Sequence, residues 1–407
     1  MTSGEQQPPG DGSLLDRVAP LLRWRYPMLV VAAYGFCLQH LRGTGGDWSL
    51  FVLGSEVLFG THRPYSPLPG GLHVYANYPQ VQIGPLSLLL ATPFRLLGRT
   101  EGRIAVVLLG TAVAPAVVFT LERAALAVRR HVDRRLVALT AFFGGLIVVQ
   151  AWSPLATIYA RLDDVLLLAA LASAVWAVAV RRPLLLGAML GVGMSLKPWG
   201  IIGLPLVLAL PRRDWWRAAG VAGVITVMAW LPFILGDGGT LSALRPQALT
   251  SPESVLALFG IPFADAPAWV RPVQFGASLV LGAVAVARGR WGAVLLVGVA
   301  LRVGLDPEVF LYYSTGLMVA ALAWDLLRSP RPLPAWTLAA FVLLDAAAIV
   351  VPSARGLAIL RLTITAAAVG IVILVPAPTA QHGNHARGPE KGGDAGRAAG
   401  TGRSGAR

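Results

Sequence analysis

Apolar stretches of about 20 residues recur along most of this chain and are separated by short polar segments. A helix of that length crosses the hydrocarbon core of a bilayer, which is about 30 Å thick. The pattern therefore predicts an all-α, polytopic membrane protein with about 12 transmembrane helices. The predicted spans lie at approximately 27–41, 104–127, 136–152, 164–180, 183–198, 200–211, 217–235, 272–287, 292–305, 309–327, 335–351 and 357–376.

A long polar segment, 42–79, interrupts this pattern and is rich in aromatic residues. Connections between helices usually take only a few residues. The next segment, 80–98, is apolar but contains two prolines. If it crossed the membrane, the densest arginine cluster, at 129–135, would lie outside the cell, against the positive-inside rule. We therefore predict that 80–98 is an interfacial or re-entrant helix and that a catalytic outer loop extends over 42–103.

The remaining segments define the predicted domain organisation. Residues 1–20 are polar, and 377–407 are rich in Gly, Ala and Arg, so both ends are predicted to be disordered and cytoplasmic. Between them, 21–376 forms the membrane domain. Its second long outer loop is predicted at 236–271. The short arginine-rich connections fall on the cytoplasmic side, whereas the outer connections carry charges of both signs.

Composition narrows the class of protein. The chain is 56% hydrophobic and only 13% charged, and its mean hydropathy is +0.66; soluble proteins carry about 25% charged residues. Almost all of the basic residues behind the net charge of +14 are arginines, and many of them lie in short clusters between apolar runs, which indicates orientation in the cytoplasmic membrane rather than a nucleic-acid partner. The single Cys37 excludes an intrachain disulfide and a cysteine zinc site.

Three aspartates are candidate catalytic residues. Asp47 follows two glycines just beyond the first span. There it either deprotonates an acceptor hydroxyl group, which contributes about 10²–10⁴-fold to a rate, or caps the helix that begins at Trp48. Asp163 and Asp164 stand at the outer start of a later span. One of them either orients a sugar hydroxyl group or shares the role of base, or both stabilise the helix N-terminus as first-turn acidic residues.

Three cations are candidate ligands of a lipid phosphate. Lys197 lies in a proline-interrupted turn between two apolar runs, where an unpaired charge is costly. The alternative is that its side chain extends to the membrane interface. Arg161 and Arg302 lie at outer span ends, and Arg302 alternatively forms an ion pair with Asp306.

Aromatic and polar residues of the outer segments are candidate substrate contacts. Tyr312 and Tyr313 either line a sugar pocket or belong to the aromatic belt of the membrane interface. The histidines of the first loop match no zinc-ligand spacing, so no metal is predicted. The predicted substrate-binding residues are Trp48, His62, Arg63, Tyr65, Tyr78, Tyr312 and Tyr313.

Short motifs in these segments resemble those of the GT-C superfamily of membrane glycosyltransferases, and most closely glycosyltransferase family 87, the α-1,2-mannosyltransferases of actinobacterial type. The resemblance covers approximately 27–327. The motifs are Gly46-Asp47, Arg63-Pro64-Tyr65, Tyr78-Pro79, Tyr159-Ala160-Arg161 with Asp163-Asp164, Ser195-Leu196-Lys197-Pro198-Trp199, and Asp306-Pro307 with Tyr312-Tyr313.

The resemblance implies a GT-C-like fold and an inverting transfer at the outer membrane face, with Asp47 as the base. It implies a polyprenyl-phosphate donor of a hexose such as mannose, a glycolipid or glycan acceptor, contact with membrane lipids, and no cofactor. One departure is Gln80, which follows Tyr78-Pro79 where many relatives have a second proline. A transporter or flippase of lipid-linked sugars, and an inactive relative of these enzymes, are the alternatives.

Overall fold

The computed structural model describes residues 20–40, 45–60, 70–78, 81–244, 249–261, 263–328 and 332–374. The predicted C-terminal tail and all but the last residue of the predicted N-terminal segment lie outside the described residues. The predicted substrate contacts His62, Arg63 and Tyr65 lie outside them as well.

The described part of the chain is helical and contains no strand, which confirms the all-α prediction. A 3-10 helix occupies Pro198–Ala209, and shorter ones Gly238–Leu244 and Trp291–Ala293. The other helices are α1 (Arg25–Gln39), α2 (Trp48–Phe59), α3 (Val74–Asn77), α4 (Pro85–Leu96), α5 (Arg99–Val128), α6 (Arg134–Ala156), α7 (Leu162–Ala179), α8 (Pro183–Leu196), α9 (Arg212–Gly236), α10 (Val255–Leu258), α11 (Val270–Ala287), α12 (Val294–Leu305), α13 (Tyr313–Arg328), α14 (Ala335–Val350, with a π-helical turn) and α15 (Ala354–Ile373).

Six helices among the described residues are long and apolar enough to cross a membrane, namely α5, α6, α7, α9, α11 and α15. The other predicted spans coincide with shorter helices, such as α8 with 14 residues. At 1.5 Å per residue, a helix of that size covers about 21 Å, which is less than the hydrocarbon thickness of about 30 Å. Length and composition therefore support six spans directly, rather than the predicted 12.

The chain reverses direction at Lys197, between α8 and the long 3-10 helix. Pro198 disfavours a helical conformation in the residue before it, and Lys197 is accordingly extended, with φ −161° and ψ 135°. A side chain on Gly200 would contact the backbone of Gly193, so the 3-10 helix folds back against α8. The two helices form a hairpin, and Lys197 lies at its tip.

Helix α4 packs against this tip. The Gly84 N–H and the Ser87 hydroxyl group both donate to the carbonyl oxygen of Leu196, each at 2.9 Å. A Cβ atom at Gly84 would lie closer than 3.0 Å to the Ser195 carbonyl oxygen, so only glycine permits this approach. With 12 residues, α4 is about 18 Å long, which is well short of a membrane span.

Candidate active site

Charged residues from the ends of several helices meet in one group, which we call the charged network. Asp47 precedes α2, and Lys197 lies at the hairpin tip. Three members lie at the start of α7, one lies at the start of α11, and two lie at the end of α12. The network consists of Asp47, Arg161, Asp163, Asp164, Lys197, Arg271, Arg302 and Asp306. Four carboxylates therefore alternate with four cations.

Lys197 is the centre of this network. Its Nζ atom lies 2.8 Å from Asp163 Oδ2 and 2.5 Å from Asp164 Oδ2. Trp199 Nε1 donates to the other oxygen of Asp164 at 2.9 Å. All four side chains are buried within the protein, so Lys197 is an ion-pair partner in the interior. Both aspartates lie in the first turn of α7, as predicted from the sequence, and both contact this cation.

Arg161 connects two parts of the network. Its Nε atom lies 2.8 Å from Asp47 Oδ2, and its Nη2 donates to the Tyr312 hydroxyl group at 2.9 Å. The preceding Ala160 has a φ of +49°, a left-handed conformation that disfavours residues other than glycine. Such strain is found where surrounding contacts hold the backbone, often at functional sites. Here it directs the chain into the first turn of α7.

Arg302 and Arg271 share Asp306. The Asp306 Oδ2 atom lies 3.1 Å from Arg271 Nη1 and 3.7 Å from Arg302 Nε. The predicted ion pair between Arg302 and Asp306 is therefore present, but in longer contact than the pair with Arg271. The Arg302 guanidinium also lies 4.2 Å from the ring centre of Trp199 and 4.8 Å from that of Tyr313. These distances are within the range of cation–π interaction.

A cavity of about 410 Å³ adjoins the network. Four of its cations line the cavity, whereas Glu308 is the one carboxylate among the lining residues. The remaining wall is mostly apolar or aromatic and includes Tyr75, Val81, Ile83, Ile201, Trp230, Pro272, Phe275 and Tyr313. The network carboxylates are not among the lining residues, so the described lining carries four cations and one carboxylate. Such a wall suits an anion that carries an apolar group.

Asp47 lies on the other side of Arg161 and is not among the residues that line the cavity. Its side chain makes no capping hydrogen bond to α2 and is 26% exposed. The capping alternative therefore has no support in the described contacts. Burial raises the pKa of Asp47, and the charge of Arg161 opposes that rise without cancelling it.

Two further groups of the site have shifted pKa values. Burial would lower the pKa of Arg161, but Tyr312, Asp163 and Asp47 more than offset this effect and leave it above its ordinary value. Burial, followed by the charge of Asp306, raises the pKa of Glu308. Arg161 thus stays cationic at every physiological pH, whereas Glu308 is easier to protonate than an exposed glutamate.

No family model, curated protein or solved structure matches this chain. The functional argument therefore rests on the residues themselves. The structure brings together all three predicted catalytic aspartates and all three predicted phosphate ligands, which are Asp47, Asp163, Asp164, Arg161, Lys197 and Arg302. Whether they act in catalysis stays a prediction, as does the expectation that no metal is required.

The predicted aromatic contacts are placed differently from one another. Tyr313 lines the cavity, and Tyr312 accepts the hydrogen bond from Arg161. Trp48 is buried away from the lining and donates to the Arg99 carbonyl oxygen at 3.2 Å. Tyr78 is half-buried and is also absent from the lining residues; Tyr75, one helical turn earlier, lines the cavity instead.

Sequence reasoning missed Arg271, Glu308 and Trp199 as parts of the site. For Arg271 a signal existed, because it stands at the start of an apolar helix, at an end that is predicted from the sequence to lie outside, where the positive-inside rule disfavours arginine. Trp199 ends the motif that contains Lys197, but a tryptophan is also typical of the membrane interface, so its residue type does not indicate a role in the site. Nothing local distinguishes Glu308 from a solvated loop carboxylate.

Proposed function

We propose that this protein is an inverting glycosyltransferase. It would move a hexose, with mannose as the first candidate, from a polyprenyl-phosphate donor to a hydroxyl group of a glycolipid or glycan acceptor. The observation that carries the proposal is the cavity, in which four cations lie on an otherwise largely apolar wall. That combination suits a phosphate joined to a long apolar chain.

In the proposed reaction, the acceptor oxygen attacks the anomeric carbon of the sugar. The bond from that carbon to the phosphate oxygen breaks, and the acceptor proton passes to Asp47. Negative charge on the phosphate grows as it leaves, so fixed cations stabilise the transition state more than the bound donor. The interior position of Lys197 and Arg302 strengthens this effect, because charges interact more strongly in a low dielectric.

The position of Asp47 suits the role of base. It is partly exposed, and Arg161 holds one of its oxygens at 2.8 Å, which leaves the second oxygen to take the proton. Because Arg161 also lines the cavity, a donor phosphate there would lie near the base without touching it. The acceptor would then approach from the exposed side of Asp47, and Glu308 would contact sugar hydroxyl groups inside the cavity.

Helix contacts support a location of the site at the outer membrane face. Gly84, at the start of α4, donates to Leu196, beside Lys197. Arg99, which begins α5 three residues after α4 ends, accepts a hydrogen bond from Trp48, beside Asp47. Both ends of α4 therefore lie near the charged network, as expected for an interfacial or re-entrant helix. The arginine-rich loops of the remaining helices would face the cytoplasm, together with both termini, in a GT-C-like arrangement of about 12 spans.

The hairpin at Lys197 separates this proposal from a transporter. Transporters commonly bind substrate at a break within one crossing helix near the bilayer centre. Here the chain returns at the break instead of continuing, since Gly200 packs against Gly193. Such a tip fits a site at the membrane surface.

The test uses the full-length chain in proteoliposomes with polyprenyl-phosphate-mannose as donor and a panel of alkyl mannosides as probe acceptors. We expect the wild-type chain to release polyprenyl phosphate and form a new glycoside. Asp47→Asn should lower turnover by about 10²–10⁴-fold while donor binding persists. Asp214→Asn, outside the charged network, is the matched control and should keep wild-type turnover.

Two results would overturn the proposal. Wild-type turnover in a folded Asp47→Asn variant would remove Asp47 as the base. Movement of intact donor across the bilayer, without cleavage at any acceptor, would identify a transporter instead.

A further inference from the structure

A second opening, a groove of about 970 Å³, lies between α8 and α9, away from the charged network. It runs beside the beginning of α8 and the first half of α9. Its lining residues are Arg182, Pro183, Leu184, Leu185, Trp216, Arg217, Gly220, Val221, Val224 and Ile225. Arginines thus stand at one end, and the rest of the groove is mainly apolar.

The groove follows from how the two helices pack. Gly187 meets the backbone of Ala218, and Gly191 meets that of Ala222, so the helices run in the same direction and approach closely. Beside this contact, Gly220 has no side chain, and a Cβ atom there would meet nothing within 4 Å. The missing side chain leaves an open channel between the larger residues on either side.

The charged end of the groove is strongly basic. The connections 181–182 and 211–217 contain five arginines and one aspartate. Arg217 is 53% exposed, and its contact with Asp214 is 3.5 Å long, so its guanidinium still faces solvent. It also lies 5.4 Å from the ring centre of Trp216. An indole beside an arginine is typical of the headgroup region of a membrane.

The rest of the groove is an exposed apolar surface. Only 17% of the most apolar stretch of α9 is buried within the protein, which is the lowest share among the six long helices described. Trp216, Leu184 and Val224 are exposed apolar side chains along the groove. A soluble anion would use the arginines and leave this apolar surface uncovered, whereas a phospholipid would cover both.

We propose that this groove binds one anionic phospholipid from the leaflet at the arginine-rich helix ends. The headgroup phosphate would contact Arg182 and Arg217, and one acyl chain would lie along α9 from Gly220 to Ile225. Basic pockets between membrane helices bind anionic lipid headgroups for the same electrostatic reason. This site is separate from the cavity and does not depend on the proposed transferase reaction.

The test measures lipid binding to the purified full-length chain by native mass spectrometry. Dioleoyl phosphatidylglycerol is the probe, and dioleoyl phosphatidylcholine is the neutral comparison. Two arginines near a membrane surface contribute together about a 30-fold change in affinity, so R182Q/R217Q should weaken the tightest phosphatidylglycerol site by about that factor. Gly220→Leu should weaken it as well, because the new side chain occupies the acyl channel.

Matched variants distinguish lipid binding in the groove from non-specific attraction of the anionic lipid to surface arginines. R130Q/R134Q removes two exposed arginines from another loop, and Gly223→Leu adds the same side chain on α9 outside the groove, where there is also open space. Both should bind phosphatidylglycerol as the wild type does. Equal weakening by R130Q/R134Q, wild-type binding by Gly220→Leu, or equally tight binding of phosphatidylcholine would each overturn the proposal.

A second measurement needs no change to the charged or glycine positions. Brominated phosphatidylglycerol, reconstituted with the wild-type chain at a low mole fraction, should quench tryptophan fluorescence more than brominated phosphatidylcholine does. Trp216→Phe should abolish that excess, because Trp216 is the indole in the groove lining. An excess that persists in Trp216→Phe would place the bound lipid elsewhere and refute the site.

Discussion

Lys197→Met is the most informative perturbation of the charged network. It keeps the length and apolar stem of the side chain but removes the cation that lies 2.8 Å from Asp163 and 2.5 Å from Asp164. At an effective dielectric constant of about 20, a unit charge pair 2.8 Å apart attracts by about 6 kcal/mol. Desolvation of the buried charges offsets part of this attraction.

The net loss follows from which charges remain unpaired. Removal of one partner from a buried ion pair costs about 3–5 kcal/mol, because the other charge stays buried without compensation. Asp164 keeps the hydrogen bond from Trp199, at 2.9 Å. Asp163 is 0% exposed, and the one ion pair that it keeps among the described residues is with Arg161, whose Nη1 is 3.8 Å away. The destabilisation should therefore come mainly from Asp163.

A second substitution tests this assignment. K197M/D163N should recover more thermal stability than K197M/D164N, because it neutralises Asp163, the carboxylate that is left with the weaker remaining contact. Neither double variant should recover donor turnover, because the phosphate ligand is still missing. The assay is the thermal unfolding midpoint of the purified chain in detergent, with turnover measured beside it. A Lys197→Met chain as stable as the wild type, or better rescue by D164N, would refute this reasoning.

Three further predictions test the site. A base must be ionised, and burial raises the pKa of Asp47, so turnover should fall as the pH is lowered through a value above the ordinary pKa of 3.8. A pH–rate profile with its half-maximum at or below pH 3.8 would contradict this. Arg271→Gln removes a cavity cation and should raise the donor KM by about 10- to 150-fold with a smaller change in kcat, whereas Arg288→Gln, at the other end of α11, should leave KM unchanged. Gly84→Ala should lower the free energy of unfolding by about 1–3 kcal/mol, because its Cβ atom would clash with the Ser195 carbonyl oxygen. Gly276→Ala, whose Cβ atom would meet nothing within 4 Å, is the control, and equal unfolding midpoints of the two variants would show that α4 does not pack there as described.

Several features of the site were accessible from the order of residues alone. Lys197 stood out because a charge in a long apolar region is costly and demands a partner. Asp163 and Asp164 stood out because acidic residues marked the start of an apolar helix. These signals identify residues that need an explanation, but they do not identify the partner. For Lys197 the alternative to binding phosphate was a side chain that extends to the membrane interface, and for Asp47 the alternative to acting as a base was capping the next helix.

The packed structure decided between some of those alternatives. Asp47 pairs with Arg161, which is 114 residues away in the chain, and does not cap its own helix. Tyr75 rather than Tyr78 lines the cavity, and its ring lies 5.4 Å from that of Trp230 in α9. Such choices depend on the rotation of one segment against another, which apolar periodicity does not specify.

The sequence by itself determined that the chain is helical, that several of its helices are apolar enough to cross a membrane, and which charged residues are too costly to leave unpaired. Hydropathy and charge act locally, so they can be read from neighbouring residues. Only the tertiary structure decided that Arg271 and Glu308 join Lys197 around one cavity, and that Asp47 stands behind Arg161. Those contacts form where the ends of separate helices meet. The packing of all the helices decides which ends come together.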